Sequence, residues 1–175
     1  MSTNPLSLWS RRLKHLTGAA IVALPAAVLL ALAFGGGPAV LAGQSGFAVS
    51  AEATPLQIAA ALAVGAVPLL ILLWTLLQMR RLFAGLAEGA VFTRATARHI
   101  RRTGQGFLAL ALSPVLTGPA QSVLLSWANP PGQRQLALTL GSDMLGYALV
   151  SGLLIVIGWA MAQAAEIEAE NRAFV

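Results

Sequence analysis

Four long apolar stretches dominate the pattern of hydrophobic and polar positions along the chain. They run over about residues 16–36, 56–78, 106–127 and 141–162, and none contains Lys, Arg or Glu. At a rise of 1.5 Å per residue, each is long enough to cross the roughly 30 Å hydrocarbon core of a bilayer. Polar and apolar residues do not alternate within them, as they would in the strands of a membrane β-barrel. The pattern predicts an all-α, polytopic integral membrane protein with four transmembrane helices.

Composition agrees with lipid as the solvent of this chain. Of 175 residues, 57% are hydrophobic and only 10% are charged, whereas a soluble domain carries roughly 25% charged residues. So few charges would not cover a globule with a hydrated surface. Cysteine is absent, which excludes disulfides and thiolate metal sites.

The positions of the basic residues predict the orientation. Three lie in the N-terminal segment, six in the loop 79–105 and one in the tail 163–175; they are Arg11, Arg12, Lys14, Arg80, Arg81, Arg94, Arg98, Arg101, Arg102 and Arg172. The loops on the other side of the membrane hold only Arg134. Since cytoplasmic loops carry the excess of Lys and Arg, both termini are expected in the cytoplasm.

The first apolar stretch has two interpretations. A basic segment precedes it and Val40-Leu41-Ala42 follows it, as in a cleavable signal peptide. The stretch is longer than a typical signal core, however, and small residues recur along it every four positions, at Ala19, Ala23, Ala27, Ala31 and Gly35. Such a stripe lets a second helix pack closely. We favour a retained transmembrane helix, followed by an outer loop over 37–55.

Prolines occur inside the first three predicted spans, at Pro25, Pro68, Pro114 and Pro119. Proline has no N–H to donate to the carbonyl four residues earlier, so kinks are expected there. In a small membrane protein we interpret these as bends rather than as hinges.

The cytoplasmic loop holds the candidate binding surface. Gly89 is a natural stop for the preceding helix, Thr93 is a candidate N-cap, and a helix is expected to run from Arg94 into the third span. Four arginines share most of one face of it, at Arg94, Arg98, Arg101 and Arg102. Anionic lipid headgroups are enough to explain the positive charge of this face, and we prefer that explanation of the charge; a docking surface for a cytoplasmic protein is the alternative. Direct nucleic-acid binding is not predicted, because no aromatic residues are interleaved with the arginines.

The tail is predicted to continue the fourth helix into the cytoplasm. It carries three acids at alternate positions, Glu166, Glu168 and Glu170. We expect these to face Arg98, Arg101 and Arg102 of the loop, which lies on the same side of the membrane. Exposed ion pairs contribute only about 0–1 kcal/mol each, so they would orient the tail rather than stabilise the fold.

A candidate polar seam lies between the third and fourth spans. Its residues are Gln121, Ser122, Asp143 and Tyr147, with hydrogen bonding between helices as the expected role. Asp143 lies near the edge of its span, so we expect its carboxylate to reach water or to pair with Arg134.

Two blocks resemble a bacterial membrane family known as domain of unknown function 2975. They are Gly89-Ala-Val-Phe-Thr93 with Ile100-Arg-Arg-Thr-Gly104, and the ending Glu168-Ala-Glu-Asn-Arg-Ala-Phe-Val175. The chain departs from the family in having Arg94, Ala95 and Thr96 where an acidic residue and Asn are usual. The resemblance implies four membrane helices, no established activity, and a small helix-turn-helix regulator as a candidate partner.

The sequence predicts no enzyme and no cofactor. His15 and His99 are expected on one side of the membrane and Asp143 on the other, so no catalytic triad can be assembled. Metal-ligand spacings and phosphate-binding loops are missing as well. The preferred function is a regulatory membrane protein that binds a cytoplasmic partner through its loop and tail. A small transporter or channel, assembled as a homo-oligomer, is the alternative. The expected location is a bacterial inner membrane.

Overall fold

The computed structural model describes residues 5–45, 53–127 and 141–173. These residues form four helices, α1 (Pro5–Ser45), α2 (Pro55–Ala87), α3 (Arg94–Ser126) and α4 (Ser142–Ala173). Each helix is long and apolar enough to cross a membrane. The predicted fold class is therefore confirmed: the described chain is all helical with four candidate spans. Arg134 lies outside the described residues.

Thr54 begins α2 with a capping box, in which Thr54 Oγ1 accepts from the Gln57 N–H at 3.4 Å and Gln57 Oε1 accepts from the Thr54 N–H at 2.8 Å.

The four tryptophans, whose side chains prefer the membrane surface, point outward from the helices. All are at least 41% exposed, at Trp9, Trp74, Trp127 and Trp159. Exposure of large apolar rings is costly in water but favourable at the headgroup layer of a bilayer.

The helices pack as an open row in chain order. Among the described residues α1 packs on α2, α2 on α3 and α3 on α4, while α4 touches neither α1 nor α2. Neighbouring helices are antiparallel, since Gln121 at the end of α3 contacts Ala61 near the start of α2. We call the end of the row where α2 ends and α3 begins the basic end. The N-terminal part of α1 and the C-terminal part of α4 lie at the same end, where Arg80 packs against Gly18 and Arg94 contacts Glu166.

The inner position of α3 in the row explains its sequence. It is the least apolar of the four helices and also the most buried. Its buried polar residues follow the surfaces that face α2 and α4: Thr96, Thr103, Ser113, Gln121, Ser122 and Ser126. A helix with a protein neighbour on two sides can keep hydroxyls and amides away from lipid, where each unsatisfied group would be costly.

The break in α1 lies at a glycine rather than at its prolines. Gly36 has φ 71° and ψ 171°, whereas the helix runs through Pro25 with helical dihedral angles. Helix then resumes as far as Ser45, so the first part of the predicted outer loop over 37–55 is helical. Leu41 is fully buried in a small apolar cluster with Ala61 and Leu125. That burial explains why the chain turns back into helix after the break.

The small-residue stripe of α1 does not face another described helix. Ala19, Ala23, Ala27, Ala31 and Gly35 are all exposed. Contact with α2 is made by the opposite face, where Gly18 meets Arg80 and Gly37 meets Ile58. The spacing correctly marked one face of the helix, and among the described residues no other helix covers that face.

Candidate functional site

A short, hydrogen-bonded turn joins α2 to α3 at the basic end. Gly89 adopts φ 83°, and the Ala90 N–H donates to the Gly85 carbonyl at 3.0 Å. Thr93 caps α3, because its Oγ1 accepts from the Thr96 N–H at 3.1 Å. The Thr96 hydroxyl then donates to the Ala90 carbonyl at 2.7 Å. Both the helix stop at Gly89 and the cap at Thr93 were predicted and are confirmed; the turn fixes the direction in which α3 leaves.

The arginines of α3 are exposed, and one of them pairs with α4. Arg94, Arg98, Arg101 and Arg102 are all exposed. Arg94 Nη2 lies 3.7 Å from Glu166 Oε1, with side chains 73% and 59% exposed. An ion pair so open to solvent contributes at most about 1 kcal/mol. The loop and the tail do meet, as expected, but Glu166 contacts Arg94, which is one helical turn before the predicted Arg98. Glu168 and Glu170 follow on the last turns of α4.

A cleft separates the basic part of α3 from α4. It encloses about 290 Å³, and its lining residues are Arg94, Ala97, Arg98, Arg101, Gly158, Ala162 and Glu166. Three guanidinium groups and one carboxylate therefore surround a floor of small residues. Arg102, next in sequence to Arg101, is not among the lining residues. The cleft uses only part of the predicted arginine set.

Close contact between α3 and α4 forms the floor of the cleft. A Cβ placed on Gly158 would lie 3.0 Å from Arg101 Cβ and 3.2 Å from the Ala97 carbonyl oxygen. These distances are shorter than most Cβ contacts, so the glycine lets the two helices approach closely, which is the usual function of small residues between membrane helices. Gly158 thus sets the width of the cleft on the α4 side. No sequence motif marked this glycine, because its partner lies on another helix.

A polar contact between α2 and α3 lies at the basic end and was not predicted. His99 Nδ1 donates to Gln78 Oε1 at 3.0 Å, and the Gln78 side chain is only 2% exposed. The Thr103 hydroxyl donates to the His99 carbonyl at 2.8 Å. Gln78 closes the second apolar stretch in the sequence, but nothing in its spacing identified His99 as the partner. The contact holds α2 and α3 in register at the basic end.

The residues of the predicted polar seam have different surroundings in the structure. Gln121 is buried and its Nε2 donates to the Ala61 carbonyl of α2 at 3.2 Å, not to α4. The Ser122 hydroxyl donates within α3, to the Pro119 carbonyl at 2.9 Å. Asp143 is exposed, and Tyr147 stacks on Phe107 with 6.0 Å between ring centroids. Gln121 therefore faces α2, the other neighbour of α3, whereas the seam was predicted to lie between α3 and α4.

Removal of the Gln121 amide is expected to weaken the α2–α3 contact. Gln121→Leu keeps the approximate volume and loses the bond to the Ala61 carbonyl. Hydrogen bonds between membrane helices contribute about 0.6 kcal/mol on average and up to about 1.7 kcal/mol. We expect a loss of about 1 kcal/mol in the free energy of unfolding, measured by SDS titration of the purified protein in detergent. Gln105→Leu is the control, since Gln105 is exposed on the same helix; equal losses in both variants would contradict a special contribution of Gln121.

The fold and the basic end define this chain as a multi-pass membrane protein with four apolar helices and one strongly cationic end. No three His, Asp or Glu residues group as metal ligands within the described ranges. Residues 45–175 match the family model described as Protein of unknown function (DUF2975), and the chain belongs to that family. The resemblance found in the sequence is thereby confirmed. No curated protein and no solved structure matches the chain.

Proposed function

We propose that this chain is a non-enzymatic, regulatory membrane protein that binds a cytoplasmic protein at its basic end. The observation that carries the proposal is the contact between Arg94 and Glu166, 3.7 Å apart. It joins the segment before the third span to the segment after the fourth, so that loop and tail form one exposed surface. Most of the charge on that surface is positive. A partner with an acidic binding patch fits it best, and a small helix-turn-helix regulator is a candidate by resemblance.

The proposal places the basic end in the cytoplasm of a bacterial cell and the four helices in its inner membrane. It is supported by the concentration of Lys and Arg in the N-terminal segment and in the loop between the second and third spans. In the opposite orientation each of these arginines would have to be carried across the bilayer. Insertion scales assign about 2.5–3.5 kcal/mol to an arginine at the centre of the membrane. The outer loops hold a single arginine.

Copurification from gently solubilised membranes tests the proposed partner. We expect a cytoplasmic protein to copurify in a fixed ratio with the wild-type chain and to rebind to the purified chain at the same ratio. Replacement of Arg98, Arg101 and Arg102 by alanine should abolish both. The matched control is Arg11→Ala with Arg12→Ala, which removes exposed charges from the N-terminal segment of α1 and should leave binding unchanged.

Two outcomes would contradict the partner. One is a wild-type chain that purifies without any stoichiometric protein; the other is equal binding by the wild-type and triple-alanine chains. Substrate-dependent flux through liposomes that contain this chain alone would instead favour the alternative, a small oligomeric transporter or channel. The two assays use the same purified material, so one preparation separates the two functions.

A further inference from the structure

The cleft between α3 and α4 combines positive charge with a position at the membrane surface. Its rim holds Arg94, Arg98 and Arg101 against Glu166, which leaves two positive charges uncompensated. Its floor is Ala97, Gly158 and Ala162. Arginine binds phosphate through a planar fork of N–H donors, often with two parallel hydrogen bonds.

The Arg101 end of the cleft lies at the level of the headgroup layer of a bilayer, and the rest of the cleft extends toward water. The apolar stretch of α3 begins at Gly106, five residues after Arg101, so Arg101 lies about 8 Å along the helix from that boundary. The headgroup layer on each side of a bilayer is roughly 5–8 Å thick. On α4, Trp159 follows the floor residue Gly158 and is 56% exposed, as is usual for indole rings at the interface.

The size of the cleft fits a headgroup rather than a whole lipid. Its volume of about 290 Å³ lies at the lower bound of small-molecule sites, which enclose roughly 300–1,000 Å³. Acyl chains would remain outside, against the lipid-facing surface of the helices. Basic pockets between membrane helices on the cytoplasmic side are a recurrent form of site for polyanionic headgroups.

We propose that this cleft is a binding site for the phosphate headgroup of an anionic phospholipid, with diphosphatidylglycerol preferred. Two phosphodiester groups match the two uncompensated positive charges of the rim. Arg98 and Arg101 bind the phosphates. Glu166 competes with the phosphates for Arg94. The site differs from general attraction to a charged surface, because Arg102 is equally exposed and does not line it. It does not depend on the proposed protein partner.

The test measures lipid bound to the purified full-length chain by native mass spectrometry, in a neutral detergent titrated with diphosphatidylglycerol. Arg101→Gln should weaken binding about fivefold, the effect of one basic residue near an anionic lipid surface. Arg102→Gln, the matched control, should change it less than twofold. Glu166→Gln should strengthen binding about two- to fivefold. A gain of affinity on removal of one carboxylate does not arise from misfolding, so this variant keeps the test valid if Arg101→Gln unfolds.

The remaining arms separate the sources of phosphate. Phosphatidylcholine, which has no net charge, should bind at least tenfold more weakly than diphosphatidylglycerol. Inorganic phosphate at the same concentration should not displace the bound lipid. Equal losses in Arg101→Gln and Arg102→Gln would overturn the site in favour of unspecific charge attraction, and displacement by inorganic phosphate would overturn the lipid as its ligand. Loss of the protein partner in the copurification assay would leave these results unchanged.

Discussion

Replacement of Gly106 by leucine is expected to lower the free energy of unfolding by about 2–3 kcal/mol, the upper part of the roughly 1–3 kcal/mol that forcing a side chain into packed protein usually costs. Gly106 faces Thr75 of α2, whose side chain is only 1% exposed. A Cβ at Gly106 would overlap the Thr75 hydroxyl and lie 2.9 Å from Thr75 Cβ. Thr75 has little room to move, because its hydroxyl donates to the Ile71 carbonyl at 2.8 Å. The helices would have to separate.

The measurement is SDS-induced unfolding of the purified chain in detergent, followed by circular dichroism. Gly152→Leu is the matched control, since nothing lies within 4 Å of a Cβ at Gly152 and that residue is exposed; we expect a change of less than about 0.5 kcal/mol. Thr75→Ala should restore part of the stability lost in Gly106→Ala, because the two residues share one contact. Equal effects of leucine at positions 106 and 152 would contradict the close approach of α2 and α3.

Labelling of single cysteines should show an all-or-none difference between the two ends of the row. The natural chain has no cysteine, so Glu88→Cys and Gly141→Cys each introduce one thiol at an exposed position. In spheroplasts a membrane-impermeant maleimide should label position 141 and leave position 88 unlabelled until the membrane is permeabilised. The reason is the arginine-rich segment beside position 88, whose transfer across the bilayer is strongly unfavourable.

The control for the labelling is the denatured protein, in which both thiols should react to the same extent. Glu88→Cys removes an acid and leaves every arginine in place, so the charge that sets the orientation is not reduced. Labelling of position 88 alone from outside would reverse the proposed orientation. Labelling of both positions in sealed spheroplasts would contradict an odd number of crossings between them.

The sequence was sufficient for features that depend on neighbouring residues. Hydropathy gave the four helices, Gly89 gave the end of α2, and Thr93 gave the start of α3, because each of these is set by the local chain. Features that depend on which helices pack together could not be predicted from the sequence. Gln121 was assigned to α4 and bonds to α2, since a periodic pattern identifies a buried face but not the helix that covers it. The contact of His99 with Gln78 was missed for the same reason.

The candidate site shows the same division. Spacing placed Arg94, Arg98 and Arg101 on one face of α3, and the structure keeps them there. The register between α3 and α4 set the actual ion pair, and that register follows from the close approach at Gly158, where a Cβ would lie 3.0 Å from Arg101 Cβ. A shift of α4 by one turn would have paired Glu166 with a different arginine. Side-chain charge alone contains no information on that shift.

The open row has a consequence for how the protein is made. Nearly every contact between the described helices joins two that are consecutive in the chain, and only a small contact links α1 to α3. From α2 onward, each helix therefore finds a packing partner, the preceding helix, already in the bilayer when it enters. Contacts between segments close in sequence form quickly, because little loop entropy is lost in closing them. Synthesis from the N-terminus can complete the row one helix at a time, and neither α1 nor α2 depends on α4 for its packing.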